Sequence, residues 1–228
     1  MNGGSYYNYS GDEVFYAGAG NDSIYGYDGN DTIYAGDGDD YLYGGDGDDI
    51  LVAGAGNDYM QGGYGADTYI HTRGEGNSTI NNYDYSAARV NDKLVLNGIK
   101  AEDVSLERKD YDLIIHDTVS GERITIESAF DWNDGRKYLE NIEFGDGTVW
   151  GKEDIKNQTI NIYGTDGGNN LYGGSYYNYS CDEVFYAGAG NDYVNGYGGN
   201  DTIYGGDGND TIYGGDGNDI FRRNCKRL

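Results

Sequence analysis

The chain has 228 residues with 40 acidic and 15 basic side chains, which gives a formal net charge of −25, and it contains 41 glycines and no proline. Nucleic acid and anionic membranes are poor partners for such a chain because Coulomb repulsion opposes both, whereas a cation is favoured. We expect no membrane span and no cleaved signal peptide, because no apolar run is long enough and the first residues lack a basic region followed by an apolar one.

A nine-residue repeat runs without a slip from residue 17 to residue 70 and returns from residue 187 to residue 222. The copies read AGAGNDSIY, GYDGNDTIY, AGDGDDYLY, GGDGDDILV, AGAGNDYMQ and GGYGADTYI in the first block, and AGAGNDYVN, GYGGNDTIY, GGDGNDTIY and GGDGNDIFR in the second. Position 4 is glycine, position 6 is aspartate and position 8 is apolar or aromatic in every copy. A disordered acidic tract would not keep one apolar position in phase, so we expect the repeats to fold when a cation is bound.

The composition of each repeat predicts a turn followed by a short strand. Glycine and aspartate in the first six positions favour turns, and the middle residue of the last three points to one face of a strand. Two repeats complete a coil of 18 residues, so position 8 from two sheets meets in a thin core. The pattern predicts an all-β fold, a parallel β-roll in the form of a two-sheet right-handed solenoid. Its core contributes about 1.5–3 kcal/mol per aliphatic side chain, which does not outweigh about 1–2 kcal/mol of backbone entropy for each ordered residue.

Stacked coils bring the carboxylates of position 6 to about one strand spacing, roughly 5 Å, from each other. Like charges at that distance repel unless a hard dication lies between them, and an all-oxygen ligand set favours calcium over zinc or copper. The predicted carboxylate ligands are Asp22, Asp31, Asp40, Asp49, Asp58, Asp67, Asp192, Asp201, Asp210 and Asp219. The predicted pairs are Asp22 with Asp40, Asp31 with Asp49, Asp40 with Asp58, Asp49 with Asp67, Asp192 with Asp210, and Asp201 with Asp219.

The repeats resemble the nonapeptide G-G-x-G-x-D-x-U-x of RTX proteins, the haemolysin-type calcium-binding family. The resemblance implies that carbonyl oxygens of the glycine-rich turns join two aspartates around each calcium ion. It implies for one site Tyr27, Gly29 and Asp31 from one turn, and Gly44, Asp46 and Asp49 from the next. It adds these turn glycines to the expected ligands: Gly20, Gly29, Gly38, Gly47, Gly199 and Gly208.

Both blocks open with a copy that departs from this pattern. Five residues, YYNYS, interrupt the copy between positions 3 and 4, and Glu13 and Glu183 then stand at position 6. Because glutamate reaches one methylene further than aspartate, we expect six good calcium sites and two doubtful ones. Cys181 replaces the equivalent of Gly11 at position 4, and Cys181 and Cys225 form no CxxC or zinc pattern.

The composition changes between the two blocks, where lysine, arginine and glutamate appear and glycine becomes rarer. The runs KLVLN, VSLER, YDLIIHD, ERITIES and LENIEFGDGTVW predict strands. The stretches DLIIHDTVSGERITIESAF and ENIEFGDGTVW resemble the haemolysin-related β segment found between RTX blocks. We expect a structural spacer or cap, in which Asp117 and Glu127 are solvated strand residues; an acid–base pair of the two is the alternative.

The chain is expected to divide into a first roll, a β-rich spacer, a second roll and an irregular tail, with the ranges 1–70, 71–163, 164–222 and 223–228. Residues 3–22 recur at 173–192 with one change. This duplication indicates one full module and the start of a second, so neighbouring modules of a longer array are expected partners. The outward positions Ile50, Val52 and Ile70 are apolar, which predicts that this face packs on the spacer.

The sequence and the resemblance together indicate a non-catalytic, calcium-dependent folding module of a secreted bacterial protein, exported by a type I system. The basic tail FRRNCKRL does not resemble a secretion signal of that system, so no such signal is evident in this chain. One alternative is an adhesin repeat that binds glycans or a cell surface, and another is a non-catalytic module of a polysaccharide-modifying enzyme. The candidate glycan-binding surface is a tyrosine ladder of Tyr25, Tyr43, Tyr204 and Tyr213.

Overall fold

The computed structural model describes residues 11–83, 91–130, 139–174 and 181–222, together with the backbone of residues 5–7. The chain forms two compact units, which are residues 1–104 with 112–152, and residues 105–111 with 153–228. The regular structure of the described residues is almost entirely β, with one short α-helix, Lys152–Lys156, and one 3-10 turn, Ala101–Asp103.

The strands follow the repeat and then continue through the middle segment. In chain order they are β1 Ser5–Tyr7, β2 Val14–Ala19, β3 Ser23–Asp28, β4 Thr32–Asp37, β5 Tyr41–Asp46, β6 Ile50–Tyr64, β7 Thr68–Thr72, β8 Gly76–Asn81, β9 Lys93–Asn97, β10 Val104–Lys109, β11 Asp112–Asp117, β12 Arg123–Ile126, β13 Asn141–Phe144, β14 Val149–Gly151, β15 Ile160–Tyr163, β16 Asn170–Tyr172, β17 Glu183–Tyr186, β18 Tyr193–Asn195, β19 Thr202–Tyr204, β20 Thr211–Tyr213 and β21 Ile220–Arg222.

The first unit contains two parallel sheets. One sheet runs β1, β3, β5, the second part of β6, β8 and β12, and the other runs β2, β4, the first part of β6, β7, β9 and β13. Strands in the repeats pair at an offset of 18 residues, as in Ser23 with Tyr41. The expected parallel β-roll is therefore confirmed, with two nonapeptides per coil.

The middle segment prolongs both sheets of the first unit. The predicted runs contain β9, β10, β11, β12, β13 and β14, whereas β8 was not predicted. β8 and β12 extend one sheet in parallel, β9 and β13 extend the other, and β11 and β14 at the two ends pair antiparallel. The expectation that the segment covers the face around Ile50 is wrong for the described residues. Ile50 remains 38% exposed, because β9 pairs with β7 at the edge of the sheet and does not lie on its face.

The core of the first unit is a single row of side chains from each sheet. Position 8 of successive repeats supplies fully buried residues, and β8, β9, β11, β12 and β13 continue the row with Ile and Leu side chains. The fully buried members are Ile24, Ile33, Leu42, Leu51, Met60, Ile80, Leu94, Leu96, Ile115, Ile124 and Ile142. This core is thin, so the carboxylates at the turns lie close to it.

The second unit repeats the same plan with shorter strands. One sheet contains β10, β15, β17, β19 and β21, and a three-stranded sheet contains β16, β18 and β20. The core is formed by Ile162, Phe185, Ala187, Val194 and Ile203. At the last described coil the position-8 side chain of Phe221 is 57% exposed, because no described strand follows β21.

Candidate metal centre

The position-6 carboxylates form ladders along the edges of the first unit. Each Oδ1 accepts a hydrogen bond from the backbone N–H of the equivalent residue one coil earlier, at 2.7–3.0 Å. The donor and acceptor pairs are Asp22 with Asp40, Asp31 with Asp49, Asp40 with Asp58, and Asp49 with Asp67. These are the four pairs expected from the repeat in this unit.

The ladders lie at two edges of the roll, because one turn leads from the first sheet to the second and the next turn leads back on the other side. The turns that end in Asp22, Asp40 and Asp58 lead into strands of the sheet that contains β3 and β5, and we call this side the first edge. The turns that end in Asp31, Asp49 and Asp67 lead into β4, β6 and β7 of the other sheet, and we call this side the second edge.

In several of these residues the second carboxylate oxygen is buried and accepts no hydrogen bond from the described part of the chain. In the first unit this holds for Oδ2 of Asp31, Asp40, Asp49 and Asp58, and the whole residues are at most 3% exposed. A buried oxygen of a charged group without a donor costs at least about 1–3 kcal/mol. A row of buried carboxylate oxygens without hydrogen-bond donors is typical of a site that binds cations.

Burial and repulsion within the ladder raise the pKa values of these acids. Burial raises the pKa of Asp49 and of Asp58 to about 7, and the neighbouring carboxylates of Asp31 and Asp40 respectively contribute in the same direction. Burial raises the pKa of Asp31 to about 6 in the same way. Without a cation, the fold therefore disfavours the charged form of its own carboxylates, and a bound dication would reverse that preference.

Backbone carbonyl oxygens converge on the same places at the second edge. A Cβ placed on Gly26 would lie 2.1 Å from Oδ2 of Asp31 and 2.5 Å from the carbonyl oxygen of Gly44. A Cβ placed on Gly44 would lie 2.1 Å from Oδ2 of Asp49 and 2.7 Å from the carbonyl oxygen of Gly62. Carboxylate and carbonyl oxygens together are the donor set that calcium prefers, so the residues present fit that ion.

Of the six residues expected around one ion, the structure brings Asp31 and the Gly44 carbonyl oxygen together. The carbonyl oxygen of Asp46 accepts the N–H of Gly29 at 2.8 Å, which leaves it one further lone pair. No group of three or more His, Cys, Asp or Glu side chains suited to a metal occurs among the described residues. A calcium site in this part of the chain must therefore take most of its ligands from the backbone.

The position-4 glycines lie in these turns and stack on one another. Gly38 and Gly47 have φ angles of +137° and +134°, and a Cβ on them would lie 2.3 Å and 2.1 Å from the carbonyl oxygens of Gly20 and Gly29. Glycine is required there by both the backbone angle and the close approach. In the second unit Gly208 and Gly199 have the same left-handed conformation. The role of these carbonyl oxygens as calcium ligands stays a prediction.

The second unit has carboxylate ladders of the same kind. The N–H groups of Asp192 and Asp201 donate to Oδ1 of Asp210 and Asp219, both at 3.1 Å. The N–H of Glu183 donates to Oδ1 of Asp201 at 2.9 Å. The two predicted aspartate pairs of the second block are thus in register, and Glu183 begins one of the ladders.

Glu183, at one of the two doubtful sites, takes the place of an aspartate. Its Oε1 accepts the N–H of Gly174 at 2.8 Å, and its Oε2 is buried without a hydrogen-bond partner. A Cβ on Gly173 would lie 3.0 Å from this Oε2 and 2.3 Å from the carbonyl oxygen of Gly196. Burial raises the pKa of Glu183 to about 9. The longer side chain of Glu183 is thus held by the hydrogen bond from Gly174 to Oε1. Its Oε2 lies near a backbone carbonyl oxygen, as the aspartate Oδ2 atoms do at Gly26 and Gly44.

The other doubtful site and the cysteine differ between the blocks. The N–H of Glu13 donates to Oδ1 of Asp31 at 2.9 Å, and Oε2 of Glu13 is also buried without a hydrogen-bond partner. Gly11 has a φ of +108°, whereas Cys181 at the same position is not among the described residues with positive φ. Cys181 is buried, which raises the pKa of its thiol to about 12, and Cys225 lies outside the described residues.

Two kinds of ladder residue were not identified from the sequence. Asp92 is buried and its Oδ1 accepts the N–H of Asp67 at 2.7 Å, although it stands 25 residues further along and outside the repeats. The position-5 side chains form a second ladder, in which the backbone N–H of the later coil donates to the side chain of the earlier coil. For example, the N–H of Asp48 donates to Oδ1 of Asn30 at 2.7 Å. The signal for this second ladder is present in the sequence, because position 5 is Asn or Asp in every copy except at Ala66.

Asp117 and Glu127 do not form an acid–base pair. Asp117 is fully buried and accepts hydrogen bonds from Nε and Nη2 of Arg73 at 2.6 and 3.0 Å. These and other donors hold its pKa below the ordinary value despite its burial. Glu127 accepts the hydroxyl hydrogen of Tyr59 at 3.1 Å. The expectation that Asp117 is a solvated strand residue is therefore wrong, because it forms a buried ion pair.

The outward tyrosines stack along the sheets. The rings of Tyr16 and Tyr34 are parallel within 2° at 4.9 Å, and those of Tyr186 and Tyr204 within 3° at 5.2 Å. Parallel stacking turns the ring faces toward each other and leaves their edges and hydroxyl groups outward. Of the predicted ladder, Tyr25 and Tyr43 are instead tilted by 54° at 6.3 Å.

Comparisons with known families agree with this geometry. The model of the RTX calcium-binding nonapeptide repeat matches residues 7–42, 43–80 and 182–221, which together make up half of the chain. The haemolysin-type calcium binding protein related domain matches residues 112–154. A search of curated proteins finds no match.

RTX repeats are typical of secreted bacterial proteins, and their domains are generally non-catalytic structural modules. Within the described part of the chain, no helix has the length and apolarity to cross a membrane. The register of the coils, the buried carboxylate ladders and the family matches all lead to the same assignment. The chain belongs to the family of RTX haemolysin-type calcium-binding repeat proteins.

Proposed function

We propose that the chain is a calcium-dependent folding module of a secreted bacterial protein and has no catalytic activity of its own. The observation that supports this most directly is the set of buried carboxylate oxygens without hydrogen-bond partners at Asp31, Asp40, Asp49, Asp58 and Glu183. Each lies one coil from another carboxylate, and those of Asp31, Asp49 and Glu183 also lie near a backbone carbonyl oxygen. Such an arrangement opposes folding without a cation and favours it with one.

The free energy available from calcium is large enough for this role. Eight carboxylate pairs within the repeats have the ladder hydrogen bond. Extracellular calcium at about 1 mM and a dissociation constant of about 10⁻⁴ M give about 1.4 kcal/mol per site. Eight such sites would contribute about 11 kcal/mol, which is comparable to the whole stability of a typical domain.

Calcium dependence would make folding differ between the cytosol and the outside of the cell, because the calcium concentration differs between them. At the micromolar or lower calcium of the cytosol the carboxylates repel one another, and the chain stays unfolded enough for export by a type I system. Outside the cell calcium fills the sites, and binding free energy becomes folding free energy. Neighbouring modules of the same kind would be partners, as the repetition of residues 3–22 at 173–192 suggests.

The alternative function is an adhesin repeat that binds glycans or a surface, or a non-catalytic module of a polysaccharide-modifying enzyme. Its support is the exposure of tyrosines such as Tyr16, which is 73% exposed. The stacking of Tyr16 on Tyr34 reduces that support, because the ring face between them is covered. Glycan-array binding that disappears with a chelator would favour this alternative.

Limited proteolysis of the full chain tests the proposed function. The chelator-stripped protein should be cut throughout the repeats, and millimolar calcium should protect residues 14–72 and 183–222. Magnesium at the same concentration should not protect, because it prefers a smaller octahedral shell with several waters. Equal resistance with and without calcium would overturn the proposal.

A further inference from the structure

The first residue of the nonapeptide alternates in the first block. Ala17, Ala35 and Ala53 begin the odd copies, and Gly26, Gly44 and Gly62 begin the even copies. Because odd and even copies turn at opposite edges of the roll, all three alanines lie at the first edge and all three glycines lie at the second edge. The two edges therefore differ in one methyl group per turn.

That methyl group would fall among the oxygens of a calcium site. At the second edge, the space of a Cβ on Gly26 or Gly44 is bounded at 2.1 Å by the carboxylate of the same turn. The carbonyl oxygen of the next coil bounds it at 2.5–2.7 Å. The Gly196 turn of the second unit repeats this geometry, with Oδ2 of Asp201 at 2.1 Å and the carbonyl oxygen of Gly214 at 2.5 Å. Real Cβ atoms essentially never approach other atoms to less than 3.0 Å.

At the first edge the Cβ atom is present. Ala35 and Ala53 are completely buried, so their methyl groups form part of the wall of the turn. The carboxylate and carbonyl oxygens must therefore keep a greater distance from the position-1 α-carbon than they do at Gly26 and Gly44. A methyl group cannot ligate calcium, which gathers six to eight oxygens at about 2.3–2.6 Å.

We infer that the first unit has two classes of calcium site, a tight class at the second edge and a weaker class at the first edge, set by glycine or alanine at position 1. This inference rests on the proposed function, since it concerns the same calcium sites. Calcium then fills the roll in two steps, with the Asp31–Asp49 and Asp49–Asp67 pairs occupied before the Asp22–Asp40 and Asp40–Asp58 pairs.

Substitution of single position-1 residues provides a matched test. Gly44→Ala introduces the methyl group at the second edge, and Ala35→Gly removes it from the first edge. Gly44 is not among the residues with positive φ, and alanine occupies the equivalent position in neighbouring copies. The backbone angles at both positions thus suit either residue, whereas a methyl group on Gly44 must displace the oxygens of Asp49 and Gly62. A change in calcium affinity therefore reports on those oxygens.

The experiment is a calorimetric titration of the chelator-stripped full chain with calcium, together with terbium luminescence as a second readout of occupancy. We expect a two-class isotherm with dissociation constants at least tenfold apart. Gly44→Ala should move one site from the tight class to the weak class, and Ala35→Gly should move one site in the opposite direction. If Gly44→Ala fails to fold, Ala35→Gly still decides the question.

The outcomes separate this inference from the proposed function. A single-class isotherm, or the same change in affinity for both variants, would overturn the two-class assignment while calcium binding stands. Absence of any calcium binding would overturn the proposed function and this inference with it.

Discussion

Asp49 joins two coils, because its Oδ1 accepts the backbone N–H of Asp31 at 2.8 Å while its Oδ2 is buried without a hydrogen-bond partner. The first oxygen fixes the register between coils, and the second is free to ligate. Asp40 and Asp58 likewise use Oδ1 for the backbone hydrogen bond and leave Oδ2 without a hydrogen-bond partner. One side chain thus contributes to both the backbone ladder and the proposed calcium site, which explains why position 6 does not vary in the ten complete copies.

Asp49→Asn should remove calcium from the two sites that Asp49 shares with Asp31 and Asp67. Asparagine keeps an oxygen for the N–H of Asp31 but loses the charge. We expect the calcium stoichiometry to fall by up to two ions, and the free energy of unfolding in 1 mM calcium to fall by about 3 kcal/mol. The control is Asp48→Asn, at the exposed position 5, where asparagine is common. Equal effects of the two substitutions would contradict the ligand role of Asp49.

Glu183→Gln tests whether the glutamate at a doubtful site binds calcium. We expect the loss of one calcium ion per chain, because the buried Oε2 that faces the Gly173 turn loses its negative charge. The neighbouring substitution Asp182→Asn is the control, since the side chain of Asp182 belongs to the position-5 ladder with Asn200. If calorimetry finds the same number of calcium ions in Glu183→Gln as in the original chain, Glu183 is not a calcium ligand and only aspartates supply carboxylate ligands.

The metal-free protein should be more folded at pH 5 than at pH 8. The pKa values of Asp49 and Asp58 rise from 3.8 to about 7 in the folded chain without metal. An acid whose pKa is raised by folding destabilises the fold when it is charged in both states, above about pH 7. This destabilisation is relieved as the pH falls from about 7 toward 4, because the folded state then binds the proton first.

Far-UV circular dichroism of the chelated protein between pH 8 and pH 5 measures this effect. Calcium affinity should change in the opposite direction and weaken below pH 7, because protons compete for the same oxygens. Loss of β signal on acidification of the chelated protein would show that the buried acids do not oppose the metal-free fold.

Arg73→Gln should destabilise the first unit without changing the calcium stoichiometry. Arg73 pairs with Asp103 and with the fully buried Asp117. Breaking a buried pair costs about 3–5 kcal/mol, and because Arg73 is 25% exposed we expect about 2–3 kcal/mol. Lys100→Gln breaks the exposed pair with Glu102 and should change the stability by less than about 1 kcal/mol. Denaturant unfolding in saturating calcium compares the two, and similar losses would argue against the importance of the buried pair.

The repeat made most of the first ladder predictable, because two repeats of nine residues make one coil of 18 residues. Every second position-6 aspartate therefore stands at the same place in the next coil. Asp22, Asp31 and Asp40 could be placed from counting alone. Asp92 could not, since it lies 25 residues after Asp67 and outside the periodic stretch. The burial of Asp117 was missed for a similar reason: its partner Arg73 is 44 residues away in a segment without periodicity. The alternation of Ala35 and Gly44 is visible in the sequence, but its meaning requires knowing which turns share an edge.

The measurement that tests the central claim most directly is a calcium titration of the chelator-stripped full chain at pH 8, followed by far-UV circular dichroism, with magnesium as the control. The calcium-dependent roll predicts a cooperative gain of β signal between sub-millimolar and millimolar calcium, and none with magnesium. A spectrum that is already β-rich without metal and unchanged by calcium would contradict it, and would show that the thin core and the middle segment hold the roll without calcium.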